Sequence, residues 1–259
     1  MDLGLKGETA LCLAASQGLG FACAKALAEA GVKVAINGRN PERGKKAAAS
    51  LGNSAVFIPA DLTSDTDRAR LFDEAKRHLG PISILVTNAD GPKTGPFLDR
   101  NLDDWRQGLE LTMLSAIDMA KRCVPDMTAR KFGRIINISS ISAKEPTPNT
   151  PLANGLKLGL IGALATLARE VARDGVTVNS ILAGPFDTDL LRRVAPFLVN
   201  KPDMPQEDAV KLYGERAPVG RIGQVSEFGA LCAFMASRHA GYMTGQSVAL
   251  DGGHVHAIY

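Results

Sequence analysis

The stretch TALCLAASQGLG, Thr9 to Gly20, decides the fold. Its first half, Thr9–Leu13, is a short apolar run of the length and residue type of a buried strand. Its second half closes on Gly18-Leu19-Gly20 and opens an amphipathic segment, Gly18–Ala30, with helical spacing. A strand that turns through glycines into a helix brings backbone N–H groups at a helix N-terminus close to a phosphate, where a side chain would block the approach. Two glycines at a turn are common in isolation. Their position after the first strand and before an amphipathic helix is what makes Ser16, Gln17, Gly18, Leu19 and Gly20 a candidate dinucleotide-binding turn.

Outward from this turn the pattern repeats. Lys33–Asn37, Ala55–Pro59, Ser83–Val86, Arg134–Ile138, Thr177–Leu182 and Ser247–Leu250 read as strands. Pro41–Leu51, Ser64–Leu79, Leu102–Lys131, Leu152–Arg173 and Val225–Ser237 read as the helices between them. Short strands separated by helices make βαβ units, and right-handed crossovers place helices on both faces of a parallel sheet. The expected fold is therefore α/β, a Rossmann-type doubly wound parallel sheet forming one domain over residues 1–259. The irregular segment 183–216, with Pro185, Pro196, Pro202 and Pro205, is expected to be a substrate lid.

Composition narrows the function. The chain is 45% hydrophobic and 22% charged, ordinary for a globular core. A formal charge of +3, with cations and anions interleaved from Arg68 to Arg77, argues against a nucleic-acid partner. No uninterrupted apolar run has the length of a membrane span, and Met1–Lys6 lacks the features of a signal peptide, so a cytoplasmic location is expected. Cys12, Cys23, Cys123 and Cys232 show neither a CxxC pair nor metal-ligand spacing, and they read as buried free thiols with no metal site.

At the end of the second strand the chain reads Asn37-Gly38-Arg39-Asn40. A carboxylate there would accept from the adenosine ribose, whereas an arginine pairs with a 2′-phosphate. Asn37 and Gly38 carry no carboxylate and Arg39 is placed to pair with a phosphate, which points to NADP, with NAD the alternative.

Several further stretches, AASQGLG (14–20), ADL (60–62), TNADG (87–91), GRIINISS (133–140), DGVTVNSILAGPFDTDL (174–190) and TGQSVALDGG (244–253), together resemble the short-chain dehydrogenase/reductase family. The resemblance implies that Asp61 and Leu62 hold adenine, Asn88 and Ala89 flank the adenine-side ribose, and Gly184 and Thr188 meet the nicotinamide. It implies hydride transfer to or from a small carbonyl or alcohol substrate, with Ser140 orienting the oxygen and Lys157 gripping the nicotinamide ribose. It also implies a homodimer or homotetramer built on the two long helices, where Gly155, Gly159, Gly162 and Ala163 permit close packing.

The chain departs from that pattern in the catalytic set. The family's acid/base tyrosine precedes the lysine by four residues, and that position is Ala153. The family's relay asparagine falls on Thr112. Asp90 stands where the family has glycine, and Leu13-Ala14 replaces the usual Thr-Gly. Proton donation is therefore open: Lys157 or a water it holds, or Lys144 or Glu145 on the loop after Ser140, with Asn149 and Asn154 as candidate substrate contacts. A dinucleotide-binding protein without catalysis is the competing reading. His78, His239, His254 and His256 are expected to take no catalytic part, the last two lying in a tail that approaches a neighbouring subunit.

Overall fold

In the computed structural model, which describes residues 1–257, parallel strands lie in the order β3-β2-β1-β4-β5-β6-β7. The strands are β1 (Thr9–Cys12), β2 (Lys33–Gly38), β3 (Ala55–Pro59), β4 (Ile84–Thr87), β5 (Gly133–Ser140), β6 (Val176–Ala183) and β7 (Ser247–Leu250). The chain starts in the middle of the sheet, winds outward to β3, then crosses back to β4 and winds the other way. The strand order reverses between β1 and β4, and the carboxyl ends of these two strands frame the crevice where such sheets bind ligands.

Helices α1 (Gly18–Glu29) and α9 (Val225–Ala236) cover one face, and α3 (Asp65–Leu79), α5 (Ser115–Ala129) and α6 (Pro151–Val171) the other. The strands are near-continuous apolar runs because both faces are covered. In β5, Ile136 joins the core under α1 and α9, while Ile135 joins the core under α5 and α6. All four cysteines are free and buried in these cores, as their setting in the sequence suggested.

Local chemistry sets the helix starts. Asn40 accepts from the Arg43 amide ahead of α2 (Pro41–Ser50), and Ser64 accepts from the Asp67 amide ahead of α3. Asn101 does the same for α4 (Leu102–Leu109), and Thr188 for α7 (Asp189–Leu198). Helix α1 differs: Gln17 makes no side-chain cap, so the first amides of α1 are left for whatever occupies the crevice.

The structure corrects three expectations. β1 ends at Cys12, although Leu13 N still donates to Val86 O at 2.9 Å. The single helix expected over 102–131 is α4, a π turn at Glu110–Leu114, and α5. Segment 183–216 is not irregular: α7 and α8 (Gln206–Glu215) pack through Leu191, Ala195, Val199, Ala209, Val210 and Tyr213. The region 151–174 is, by length and composition alone, apolar enough to span a membrane. Within the fold its Leu152, Leu156, Leu160 and Leu164 form one buried stripe.

Asn37, 1% exposed, ties the strand ends together. Its Oδ1 accepts from Ala14 N at 2.8 Å and its Nδ2 donates to Ala60 O at 3.0 Å, joining the ends of β1, β2 and β3. Asn37→Ala leaves a buried donor and a buried acceptor unpaired, and the expected loss of stability in urea denaturation is about 2 kcal/mol or more. A loss within experimental error would show that the strand ends hold without it.

Candidate active site

A cavity of about 470 Å³ opens at the carboxyl ends of the strands, in the size range of small-molecule and cofactor sites. Its floor is the turn from β1 into α1. Ala14 adopts a positive φ of 45°, costly for a residue with a side chain, and is held by Asn37 at its amide and by Asn88 Nδ2 at its carbonyl (3.1 Å). Gly18, at φ 60°, lines the cavity, and a Cβ there would project toward the Thr188 methyl at 3.7 Å. Gly20 has a packing task as well. It lies behind the wall, and a Cβ on it would stand 2.8 Å from both Ala14 O and Asn88 Nδ2. Gly18 keeps the crevice clear, whereas Gly20 lets the turn pack on the loop after β4.

Charge is arranged across the mouth. Arg39 does not stand free: its guanidinium reaches Asp90 Oδ2 at 3.3 Å, and Arg193 on α7 reaches Asp90 Oδ1 at 3.2 Å from the opposite bank. Asp61 is also committed, its Oδ1 accepting from the Thr63 amide (2.9 Å) and hydroxyl (2.8 Å). Arg68, 3% exposed, fixes the loop after β3 by donating to Leu62 O at 2.6 Å while pairing with Glu110 (2.7 Å) and Asp118 (2.9 Å).

Ser140 ends β5, and its Oγ accepts from Ser142 N at 3.1 Å. With an acceptor lone pair taken by that amide, the hydroxyl hydrogen is free to point into the cavity. Ala153 and Lys157 stand one turn apart on α6, and both line the same cavity. No ion pair or hydrogen bond engages Lys157 among the described residues, and burial pushes its ammonium down to about 8. Behind Lys157 a polar recess of about 20 Å³ is shared with Asn88, Thr112, Ser115 and Asn137. Thr112 comes from the π turn, and its buried Oγ1 has no partner among the described residues.

The other candidate donors lie elsewhere. Lys144 and Glu145 are absent from the cavity wall, and Glu145 accepts from His256 N at 3.0 Å. Asn154 is spent on Thr147 and Thr150, and Asn149 turns to Phe197 and Asn200. The tail that holds His254 and His256 folds back on its own chain, with the His254 ring 5.0 Å from that of Tyr213. His239 bonds the Asp2 carbonyl, away from the cavity.

The family model described as enoyl-(acyl carrier protein) reductase matches residues 13–255. The chain belongs to the short-chain dehydrogenase/reductase family. It is similar to the 3-oxoacyl-[acyl-carrier-protein] reductase FabG of Aquifex aeolicus, at 30% identity covering 98% of this chain and 99% of that one. Among solved structures it is similar to the L-sorbose reductase of Gluconobacter frateurii complexed with NADPH and L-sorbose, with a TM-score of 0.93 and 27% identity over the whole of both chains. It is also similar to YwfH, an NADPH-dependent reductase involved in bacilysin biosynthesis, with a TM-score of 0.89 and 30% identity over 97% of this chain and 99% of that one.

In this short-chain dehydrogenase/reductase, one cavity gathers Ser16, Gln17, Gly18, Leu19, Arg39, Asp61, Leu62, Asn88, Ala89, Ser140, Lys157, Gly184 and Thr188. Residues outside the quoted motifs also reach it, among them Arg43 and Tyr213. Arg43 sits four residues past Arg39 at the start of α2, a spacing that could have flagged it. Tyr213 carries no comparable signal beyond being the one tyrosine of segment 183–216. The positive φ at Ala14 gives a direct test: Ala14→Gly removes the strain and is expected to raise stability by about 0.5 kcal/mol in chemical denaturation. A decrease would mean that the alanine is relaxed in this turn.

Proposed function

We propose that the chain is an NADP(H)-dependent oxidoreductase acting on a carbonyl or alcohol, with Ser140 orienting the substrate oxygen and Lys157 as the proton donor. The observation that carries this reading is Lys157, an unpaired cation among the described residues that shares a cavity with a hydroxyl whose hydrogen is free. The cavity fits a dinucleotide in three respects. The first turn of α1 is uncapped, Gly18 puts no side chain on the cavity wall beside it, and two arginines, Arg39 and Arg43, line the end of β2 and the start of α2.

The assigned contacts follow the strand ends. Ser16 to Gly20 receive the pyrophosphate, Arg39 the 2′-phosphate, and Asp61 and Leu62 the adenine. Asn88 and Ala89 border the adenine-side ribose, and Gly184 and Thr188 the nicotinamide. When bound, the cofactor supplies or accepts the hydride.

The protein's own work is at the substrate oxygen. As that oxygen gains negative charge, the Ser140 hydroxyl donates to it, aimed by the Ser142 amide behind it. Ala153 offers only a methyl where the family places a phenol, so the acid's role passes to Lys157, one turn on in the same helix and lining the same cavity. The Lys157 ammonium then gives up a proton directly. With a pKa near 8, it is charged at neutral pH yet close enough to neutrality to be a competent acid. The recess behind it has room for about one water, and Thr112 Oγ1 is available to hold that water for reprotonation.

The sign of the pH dependence follows from the lowered value. Reduction needs the ammonium, so kcat is expected to be level below pH 8 and to fall above it. Alcohol oxidation needs the free amine and rises through the same region. Steady-state rates in both directions, on wild type and Lys157→Met, check this. The variant is expected to lose about 10²-fold or more in kcat. Absence of turnover above a Ser140→Ala control would leave the chain as a binder of dinucleotide only.

Cofactor choice is tested by fluorescence titration. Arg39→Leu is expected to weaken NADPH about tenfold relative to NADH, since a charge-assisted pair to the phosphate is lost. Equal weakening of both would remove Arg39 from the phosphate site.

A further inference from the structure

We propose that Tyr213 is a substrate-contacting residue whose hydroxyl donates to a second oxygen of the substrate, which makes the preferred substrates uncharged hydroxylated carbonyl compounds. This deepens the reading of the cavity as a carbonyl-reducing site and rests on it.

Tyr213 belongs to α8 and lines the same cavity as Ser140, and only 6% of the residue is exposed. A phenol this deeply placed ordinarily finds a hydrogen-bond partner. Here the hydroxyl has none among the described residues, and it is not among the polar atoms sealed from open space. Burial pushes Tyr213 up to about 12, so it stays a neutral donor across the working range.

The ring is held before any substrate arrives. One side packs in the cluster of Leu191, Ala195, Val199, Ala209 and Val210. His254 packs against it with ring centroids 5.0 Å apart at 59°. The tail bearing His254 is itself fixed, since Val255 N donates to Asp251 Oδ2 at 2.8 Å and His256 N to Glu145 Oε2 at 3.0 Å. Val219 N donates to Gly252 O at 3.2 Å, tying the tail to the segment after α8. A pre-set donor recognises a substrate hydroxyl at little entropic cost.

The substrate class follows from what else the wall offers. Thr150 Oγ1 is engaged with Thr147 O and Asn154 Oδ1, Thr147 is bonded to Asn154 through its backbone alone, and Ser142 Oγ is sealed in the protein. Arg192 is paired with Asp187 and Asp189, and Arg193 with Asp90. Neither guanidinium is therefore free to receive a carboxylate or phosphate of the substrate. What remains beyond Ser140 and Lys157 in this part of the cavity is neutral, the Tyr213 hydroxyl with those of Thr94 and Thr147, beside the apolar Leu190, Leu191, Val194 and Leu198. That set suits a short chain carrying a hydroxyl near the carbonyl.

The test compares a hydroxyketone with the ketone of the same chain length lacking the hydroxyl, under saturating NADPH, for wild type and Tyr213→Phe. The variant is expected to lose about tenfold more kcat/KM toward the hydroxyketone than toward the plain ketone, the worth of one neutral hydrogen bond. His254→Leu, which loosens the ring without touching the hydroxyl, is expected to show the same bias at smaller size. Equal loss on both ketones, or no loss on either, overturns the proposal. If wild type reduces neither ketone, the reductase reading fails on its own. Saturation-transfer NMR of the hydroxyketone with the NADPH-loaded protein then decides Tyr213: signal lost in Tyr213→Phe supports the contact, and unchanged signal overturns it.

Discussion

The side chain of Asn37 is the interaction on which the cavity depends. Three parallel strands end side by side with their last carbonyls and amides pointing into open space, and nothing in a sheet ladder satisfies those groups. A buried primary amide, one donor to Ala60 and one acceptor from Ala14, satisfies two of them at once. It thereby fixes the backbone from which the turn into α1 departs. The uncapped first turn of α1, the clearance at Gly18 and the approach of Asn88 all inherit their placement from it.

The second organising feature is the break in register between α4 and α5. One π turn at Glu110–Leu114 places the Thr112 hydroxyl, buried, in the recess behind Lys157. Such turns concentrate at functional sites because the extra residue re-aims side chains at little cost to the flanking helix. Arg68 bears on the same region, pairing with Glu110 and Asp118 while it holds the carbonyl of Leu62. A single buried guanidinium thus links the loop after β3 to the helix that backs Lys157.

How much of this was legible in the sequence depends on range. The strand ladder and the turn at Gly18 were readable because they rest on apolar runs and local backbone geometry. Ser140 and Lys157 were readable through motif spacing, and the structure brings both to one wall. The tasks of Asn37 and Gly20 were not, since each depends on what lies across the strand ends: Ala60 is 23 residues from Asn37 in sequence. Lys144 and Glu145 looked available because they follow Ser140 closely. Glu145 in fact turns to a tail more than one hundred residues away. Tyr213 sits in a segment that read as helical pieces broken by prolines, and only the packing of α7 on α8 brings it to the cavity.

Asp90 changes the meaning of Arg39. A carboxylate held by two guanidinium groups means that neither Arg39 nor Arg193 is presented as a bare cation. Any anion received by Arg39 therefore enters by exchange, trading one carboxylate partner for a new one. The gain is the difference between two pairs, and it is smaller than the full strength of either. Such a seam discriminates between phosphorylated and unphosphorylated ligands through the anion it gives up as much as through the one it takes. It also joins the two banks, because the one carboxylate of Asp90 bonds Arg39 at the end of β2 and Arg193 on α7.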